Sequence, residues 1–164
     1  LRPLGIPLVV NDRVDVALAA GADGVHVGQA DMDAADVLRL LGEQAIVGLS
    51  VESMAQVEQA DALPVDYLGV SPVFGTPTKT DTVTEWGLEG MARIARISRH
   101  PLVGIGGIHA GNAGEVIAAG AHGVAVVSAI CAAADPVGAA AELRRVVNRA
   151  IAQKGAASDG GGSR

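Results

Sequence analysis

Asp12 and Asp31 stand one repeat apart, each just past an apolar run that reads as a strand. With no His or Cys cluster beside them, they suit a hard cation with oxygen ligands and retained waters, and Mg²⁺ bound partly through substrate phosphates fits best. The competing reading makes Asp12 a helix N-cap and Asp31 a turn acid. Residues 71–81 (SPVFGTPTKTD) form the least generic segment, a long loop with prolines, threonine hydroxyls and Lys79, one of only two lysines. Such loops are usually functional, and their prolines lower the cost of ordering hydroxyls and an ammonium around an anion. Lys79 then acts as a point charge on a phosphate, against the plain alternative of a surface loop. Residues 104–108 (GIGGI) and 126–130 (VVSAI) each close a strand and lead into a helix. Paired loops of this kind present backbone N–H groups to a phosphate, unless the glycines serve packing alone. His26 lies inside a strand whose Val25 and Val27 face the other way, so a structural imidazole is expected there. The single cysteine, Cys131, is expected as a small buried hydrophobe and not a nucleophile.

These residues need elements that bring strand ends together. Apolar runs at 7–11, 24–28, 45–50, 66–71, 101–106 and 123–128 read as strands. Patterns with i, i+3, i+4 apolar spacing at 12–20, 33–41, 52–62, 88–97, 111–119 and 136–151 read as helices laid on a sheet. Strand then helix, six times over, makes a parallel sheet with right-handed crossovers the default. Residues 19–28 (AAGADGVHVG) and 118–127 (AAGAHGVAVV) nearly repeat, each with a glycine suited to positive φ at a helix end. Residues 65–70 (VDYLGV) are a looser third copy. Polar residues and glycines after nearly every strand favour a (β/α)₈ barrel with one ligand mouth over a doubly wound sheet. Six units are two short of closure, so the expected fold is a TIM (β/α)₈ barrel whose first two βα units are missing from this chain. Residues 1–152 form the N-terminally incomplete barrel domain, and 153–164 (QKGAASDGGGSR) are expected as a disordered polar tail.

Composition narrows the partners. The 164 residues carry 18 Asp and Glu against 12 Lys and Arg, a formal charge of −6, and only Tyr67, Phe74 and Trp86 as aromatics. No basic tail, zinc-finger spacing or stacking platform is present, which argues against nucleic acid. One cysteine rules out an internal disulfide framework. No apolar run is long enough for a membrane span, and no signal peptide pattern appears, so a cytoplasmic location is expected. Glycine at 22 residues is about double its usual share, the habit of an α/β protein with strands covered on both faces.

The ordered strings NDR (11–13), HVGQ (26–29) with Asp31, GLS (48–50), SPVF (71–74) with TPTK (76–79), GIGGI and VVSAI resemble the thiamine-phosphate synthase family across nearly all of residues 7–150. The resemblance implies a (β/α)₈ barrel that condenses a hydroxymethylpyrimidine diphosphate with a thiazole phosphate, yielding thiamine phosphate and diphosphate with Mg²⁺ present. It implies that Asp12 and Asp31 hold the metal and that Asn11, Ser50 and Lys79 contact the pyrimidine diphosphate, with Lys79 and Asn11 as the catalytic candidates. Thr76, Pro77 and Thr78 would line the thiazole phosphate site, and Gly107, Val127 and Ser128 would supply its phosphate contacts. The partners are then small phosphorylated pyrimidine and thiazole substrates, with no nucleic acid, no membrane, and homo-oligomerisation left open.

The chain departs from the family in several places. It has no Gln-Leu-Arg-x-Lys string, whose Arg and Lys the resemblance would place on the diphosphate, so a diphosphate site short of two positive charges is expected of the residues given. Gly75 stands for the more usual Pro, Ser71 for Gly, and His109-Ala110-Gly111 for a Thr-Pro-Glu-like helix start that would cap better. Two other functions compete: a thiazole tautomerase, whose proton carrier would be His26 or His109, and a non-catalytic module that binds a phosphate ligand. The intact Asp12, Asp31 and Lys79 set argues against the tautomerase.

Overall fold

The computed structural model describes residues 1–75 and 85–159. Six strands alternate with helices: β1 (Val9–Asn11), α1 (Val14–Ala20), β2 (Gly24–Val27), α2 (Ala34–Leu41), β3 (Ile46–Val51), α3 (Met54–Ala60), β4 (Tyr67–Val70), α4 (Gly87–Ile97), β5 (Leu102–Ile105), α5 (Ala113–Ala118), β6 (Gly123–Ala125), α6 (Ser128–Cys131) and α7 (Pro136–Asp159). The chain divides into two compact units, Leu1–Gly69 with Ser98–Pro101, and Val70–Ile97 with Leu102–Arg164. In the first unit β1 pairs with β2 and β2 with β3, all parallel; in the second β5 pairs with β6, also parallel. Among the described residues no helix is long and apolar enough to cross a membrane.

Each unit has its own apolar core. In the first, Val25 and Val27 of β2 are fully buried, as are Val37 of α2 and Val47 and Val51 of β3. In the second, Met91 and Ile94 of α4, Leu102 of β5 and Val116 and Ile117 of α5 are buried. Helix ends follow the local chemistry of the sequence. The Asp33 carboxylate accepts from the Ala35 N–H at 2.8 Å and caps α2, and the Ser53 hydroxyl accepts from the Gln56 N–H and caps α3. Gly21 closes α1 in the left-handed region at φ 57°, and its repeat counterpart Gly120 follows α5 at φ 128°.

The internal repeat proves to be a hydrogen-bonding device. Asp23 Oδ2 accepts from the Leu8 N–H at 2.7 Å while its own N–H donates to the Leu8 carbonyl at 2.8 Å. Asp66 clasps Val47 in the same way, at 2.7 and 2.8 Å. His122 clasps Leu102, its Nδ1 accepting at 3.1 Å and its N–H donating at 2.8 Å. In each copy the residue before a strand locks the start of the preceding strand, satisfying backbone groups there.

Two expectations need correction. The polar segment from residue 153 does not leave the fold at once: α7 continues through Asp159, and residues 160–164 lie outside the described residues. Buried Ala150 and the Lys154 ammonium, which donates to the Gly120 carbonyl at 3.1 Å, hold that extension against the end of α5. Composition misses this because the contact is tertiary. Cys131 is exposed, since none of the four residues of α6 is buried.

The repeat supplies a matched test. A Cβ on Gly24 would lie 2.0 Å from the Ile46 carbonyl oxygen, whereas one on its counterpart Gly123 meets nothing within 4 Å. Gly24→Ala should lower the unfolding free energy by about 1–3 kcal/mol through overpacking, and Gly123→Ala should change it by less than about 0.5 kcal/mol, both read from urea unfolding. The His122 clasp gives a second. Burial, and then the Lys154 charge, push the His122 pKa below its ordinary 6.5. Its stabilising share is therefore complete above pH 6.5 and is lost as pH falls through the lower folded value, where Nδ1 protonates and can no longer accept. His122→Asp, which copies the other two clasps, should flatten the fall in urea midpoint between pH 7.5 and 5.5; an unchanged slope would refute this role.

Candidate active site

The first unit carries the carboxylates. Asn11 ends β1, and the Asp12 N–H then donates to the His26 carbonyl at 2.8 Å. The Arg13 N–H bonds back to the Asn11 carbonyl at 2.7 Å, closing a three-residue turn with Asp12 at its centre and φ at +64°. Asp12 is the only non-glycine at positive φ among the described residues. The N-cap of α1 is Arg13, without a side-chain bond, so Asp12 is not the capping residue that its sequence position also allowed. Strain of this kind, on an exposed carboxylate at a strand end, is a recurring mark of functional sites. Arg13 forks onto Asp15, at 2.8 and 2.5 Å, and its hydrogen bond chiefly holds that carboxyl at about 2.

Asp31 is exposed and follows β2 by a short turn in which its Oδ2 accepts from the Gly28 N–H at 2.7 Å. It is thus the turn acid that the sequence allowed, while Oδ1 stays on the same oriented group. Among the described residues no three His, Cys, Asp or Glu side chains gather as a metal site. What the unit offers a metal is two hard oxygen donors on consecutive strand ends. That set fits Mg²⁺, which keeps several waters and takes substrate phosphates beside one or two carboxylates.

Ser50 is the penultimate residue of β3 and nearly buried. Its Oγ lies 2.9 Å from His26 Nε2, and its carbonyl accepts from Gln29 Nε2 at 2.7 Å. His26 Nδ1 in turn lies 3.0 Å from Tyr67 Oη, and the two rings stack with centroids 5.4 Å apart. His26 is therefore structural, as expected, and with both ring nitrogens engaged it is poorly placed to carry a proton for an isomerase. His109 Nδ1 is likewise taken by the Gly111 N–H, at 3.1 Å.

The second unit carries the glycine loops. Gly106 and Gly107 follow β5 at φ 94° and 62°, and they are packed as well as turned. A Cβ on Gly106 would lie 2.8 Å from Pro72 Cβ, and one on Gly107 would lie 2.8 Å from the Gly75 carbonyl oxygen and from Phe74 Cβ. Asn112, which the sequence reading missed, clamps this loop: Nδ2 donates to the Gly107 carbonyl at 3.0 Å and Oδ1 accepts from the His109 N–H at 2.8 Å. It braces the loop ahead of α5, whose N-cap it occupies without a side-chain bond to the helix. The strand expected over 123–128 ends at Ala125, so Val127 and Ser128 are exposed, and Ser128 opens α6 without a side-chain cap.

The long loop is anchored at both roots. Val73 and Phe74 donate to the Ile105 and Gly106 carbonyls at 2.8 and 3.2 Å. Trp86 and Gly87 donate to those of Pro72 and Val73, at 3.0 and 2.8 Å. Thr76, Pro77, Thr78 and Lys79 lie outside the described residues. A cavity of about 560 Å³ along α5 and α7, lined by Gly114, Ala118, Val146, Arg149, Ala150 and others, holds none of the candidate residues. The chemistry, not the cavity, marks the site.

The strain at Asp12 is testable on stability alone. Removing Cβ removes the left-handed penalty of about 1–2 kcal/mol, partly offset by the freer unfolded chain of glycine. Asp12→Gly should match the parent or exceed it by up to about 1 kcal/mol in urea unfolding, with Asp12→Ala about 1 kcal/mol below Asp12→Gly; the reverse order would show that the turn is unstrained.

Residues 1–130 match the family model described as thiamine monophosphate synthase. The thiamine-phosphate synthase of Albidiferax ferrireducens is 59% identical over 148 residues, covering 90% of this chain and 68% of its own length. That of Vibrio campbellii is 49% identical over 143 residues, covering 87% and 70%. Among solved structures, a thiamine phosphate pyrophosphorylase from Pyrococcus furiosus superposes with a TM-score of 0.83 at 39% identity, over 92% of this chain and 71% of that one. The expected fold class holds: this is an α/β chain of the (β/α)₈ barrel type, represented by six strand–helix units. Strained and oriented carboxylates on successive strand ends, packed glycine loops and these matches converge, and the chain belongs to the thiamine-phosphate synthase family of enzymes.

Proposed function

We propose that this chain condenses 4-amino-2-methyl-5-(diphosphooxymethyl)pyrimidine with 4-methyl-5-(2-phosphooxyethyl)thiazole to give thiamine phosphate and diphosphate. The observation that carries the reading is Asp12, a carboxylate kept in a strained turn beside Asn11, one strand from the oriented Asp31. Asp12 and Asp31 would hold Mg²⁺, which when bound neutralises charge on the diphosphate. Asn11, Ser50 and Lys79 bind the pyrimidine diphosphate. Thr76, Pro77 and Thr78 line the thiazole side, while Gly107, Val127 and Ser128 meet its phosphate through backbone and hydroxyl donors. The thiazole nitrogen lone pair forms the new bond to the pyrimidine methylene carbon as the carbon–oxygen bond breaks, and its electron pair leaves on diphosphate. No proton moves in that step, which agrees with a residue set rich in charge stabilisers and poor in general bases. Both substrates carry phosphate charge that confines them within a membrane-bounded compartment, and the cytoplasm is the proposed place of action.

The test is diphosphate release with both substrates, with and without Mg²⁺, beside calorimetric affinities for each. Asp12→Gly and Asp31→Ala should lose most Mg²⁺-dependent affinity and turnover while unfolding like the parent. Lys79→Met removes a charge-assisted bond of about 1.5–3 kcal/mol, so the pyrimidine diphosphate should weaken by about 10- to 150-fold and the thiazole phosphate far less. Equal weakening of both, or affinity indifferent to Mg²⁺ and to both carboxylates, would sink the assignment.

A further inference from the structure

A serine hydroxyl can donate or accept, and which it does decides the ligand atom it can meet. Ser50 is not left to choose. Tyr67 Oη, His26 Nδ1, His26 Nε2 and Ser50 Oγ form one chain with contacts of 3.0 and 2.9 Å, running from the first residue of β4 through the middle of β2 to the penultimate residue of β3. The chain crosses the sheet only because β3 has no side chain where it passes. A Cβ on Gly48 would lie 2.2 Å from Tyr67 Cζ and 2.5 Å from His26 Nδ1. Gly48 is the register partner of His26, so the bare position and the imidazole face one another by strand pairing.

Two proton orders fit a neutral imidazole. In one, the phenol donates to Nδ1, Nε2–H donates to Ser50 Oγ, and the serine proton is left to donate onward. In the other, every bond reverses and Ser50 Oγ is left to accept. A phenol is a better donor than acceptor, and an unprotonated imidazole nitrogen is a better acceptor than a phenol oxygen, so the first order is favoured. Burial, and then the Asp66 charge, raise the Tyr67 pKa and keep its proton in place. Ser50 is buried with 9% of its surface exposed.

We propose that Tyr67 and His26 are positioning residues that fix Ser50 as a hydrogen-bond donor toward an acceptor atom of the pyrimidine diphosphate. The proposal deepens the functional reading above and rests on it for the ligand, while the proton order is a property of the chain alone.

Nitrogen-15 NMR of the whole protein, with His26 assigned by His26→Gln, reads that order directly. Nδ1 should resonate as an unprotonated ring nitrogen and Nε2 as a protonated one, and Tyr67→Phe should erase the difference or reverse it. A protonated Nδ1 in the parent overturns the proposal. The second arm is a double-mutant cycle on calorimetric affinity for the pyrimidine diphosphate. Tyr67→Phe should weaken binding about 2- to 12-fold in the parent and leave it unchanged in a Ser50→Ala background. Equal losses in both backgrounds would mean that Tyr67 is only structural, and would overturn the coupling. Failure of the parent to bind the pyrimidine diphosphate would refute the functional reading, with the tautomer still deciding the proton order.

Discussion

Short parallel strands have to be pinned at one end before the other can be used. β1, β5 and β6 have only three or four residues, and a ladder that short contributes few backbone bonds. The side chains of Asp23 and His122 make good the deficit by clasping Leu8 and Leu102 at the starts of β1 and β5, and Asp66 clasps Val47 near the start of the longer β3. Each clasp sets register, and register sets which residue comes last on each strand. Asn11, Ser50 and Asp31 lie at, near and past the other ends of β1, β3 and β2.

With one end fixed, the other can carry features that do not stabilise the fold. Asp12 sits in a turn that glycine would make more easily, and Asp31 spends an oxygen on Gly28 instead of on a cation of the chain. In the second unit Gly106 and Gly107 are pressed against Pro72, Phe74 and Gly75, with Asn112 bracing the peptide from the far side. Such placements are kept only where surrounding bonds over-determine them.

The Tyr67–His26–Ser50 chain shows the same economy inside the sheet. Buried polar groups are tolerated when every member is satisfied, and here each bond also orders the next. The absent side chain at Gly48 is as necessary to the chain as its three polar members.

The order of elements and the strand-end position of nearly every candidate residue were legible from periodicity, because a parallel βα repeat allows few other arrangements. The likeness of residues 19–28 and 118–127 was visible as spacing, but its meaning was not, since Asp23 and His122 have different chemistry and do the same work only when Leu8 and Leu102 lie beside them. Tyr67 and Gly48 gave no local signal for the same reason: their roles are defined by atoms about twenty to forty residues away, or by an atom that is absent. Residues 153–159 read as a polar tail and fold as helix because Lys154 finds the Gly120 carbonyl. The sequence by itself determined which chemical groups follow the strands. Tertiary structure alone decided how Ser50, Gly106 and Gly107 are held, because their contacts, with His26, Pro72 and Phe74, join residues far apart in the chain, and no short window of sequence contains both partners.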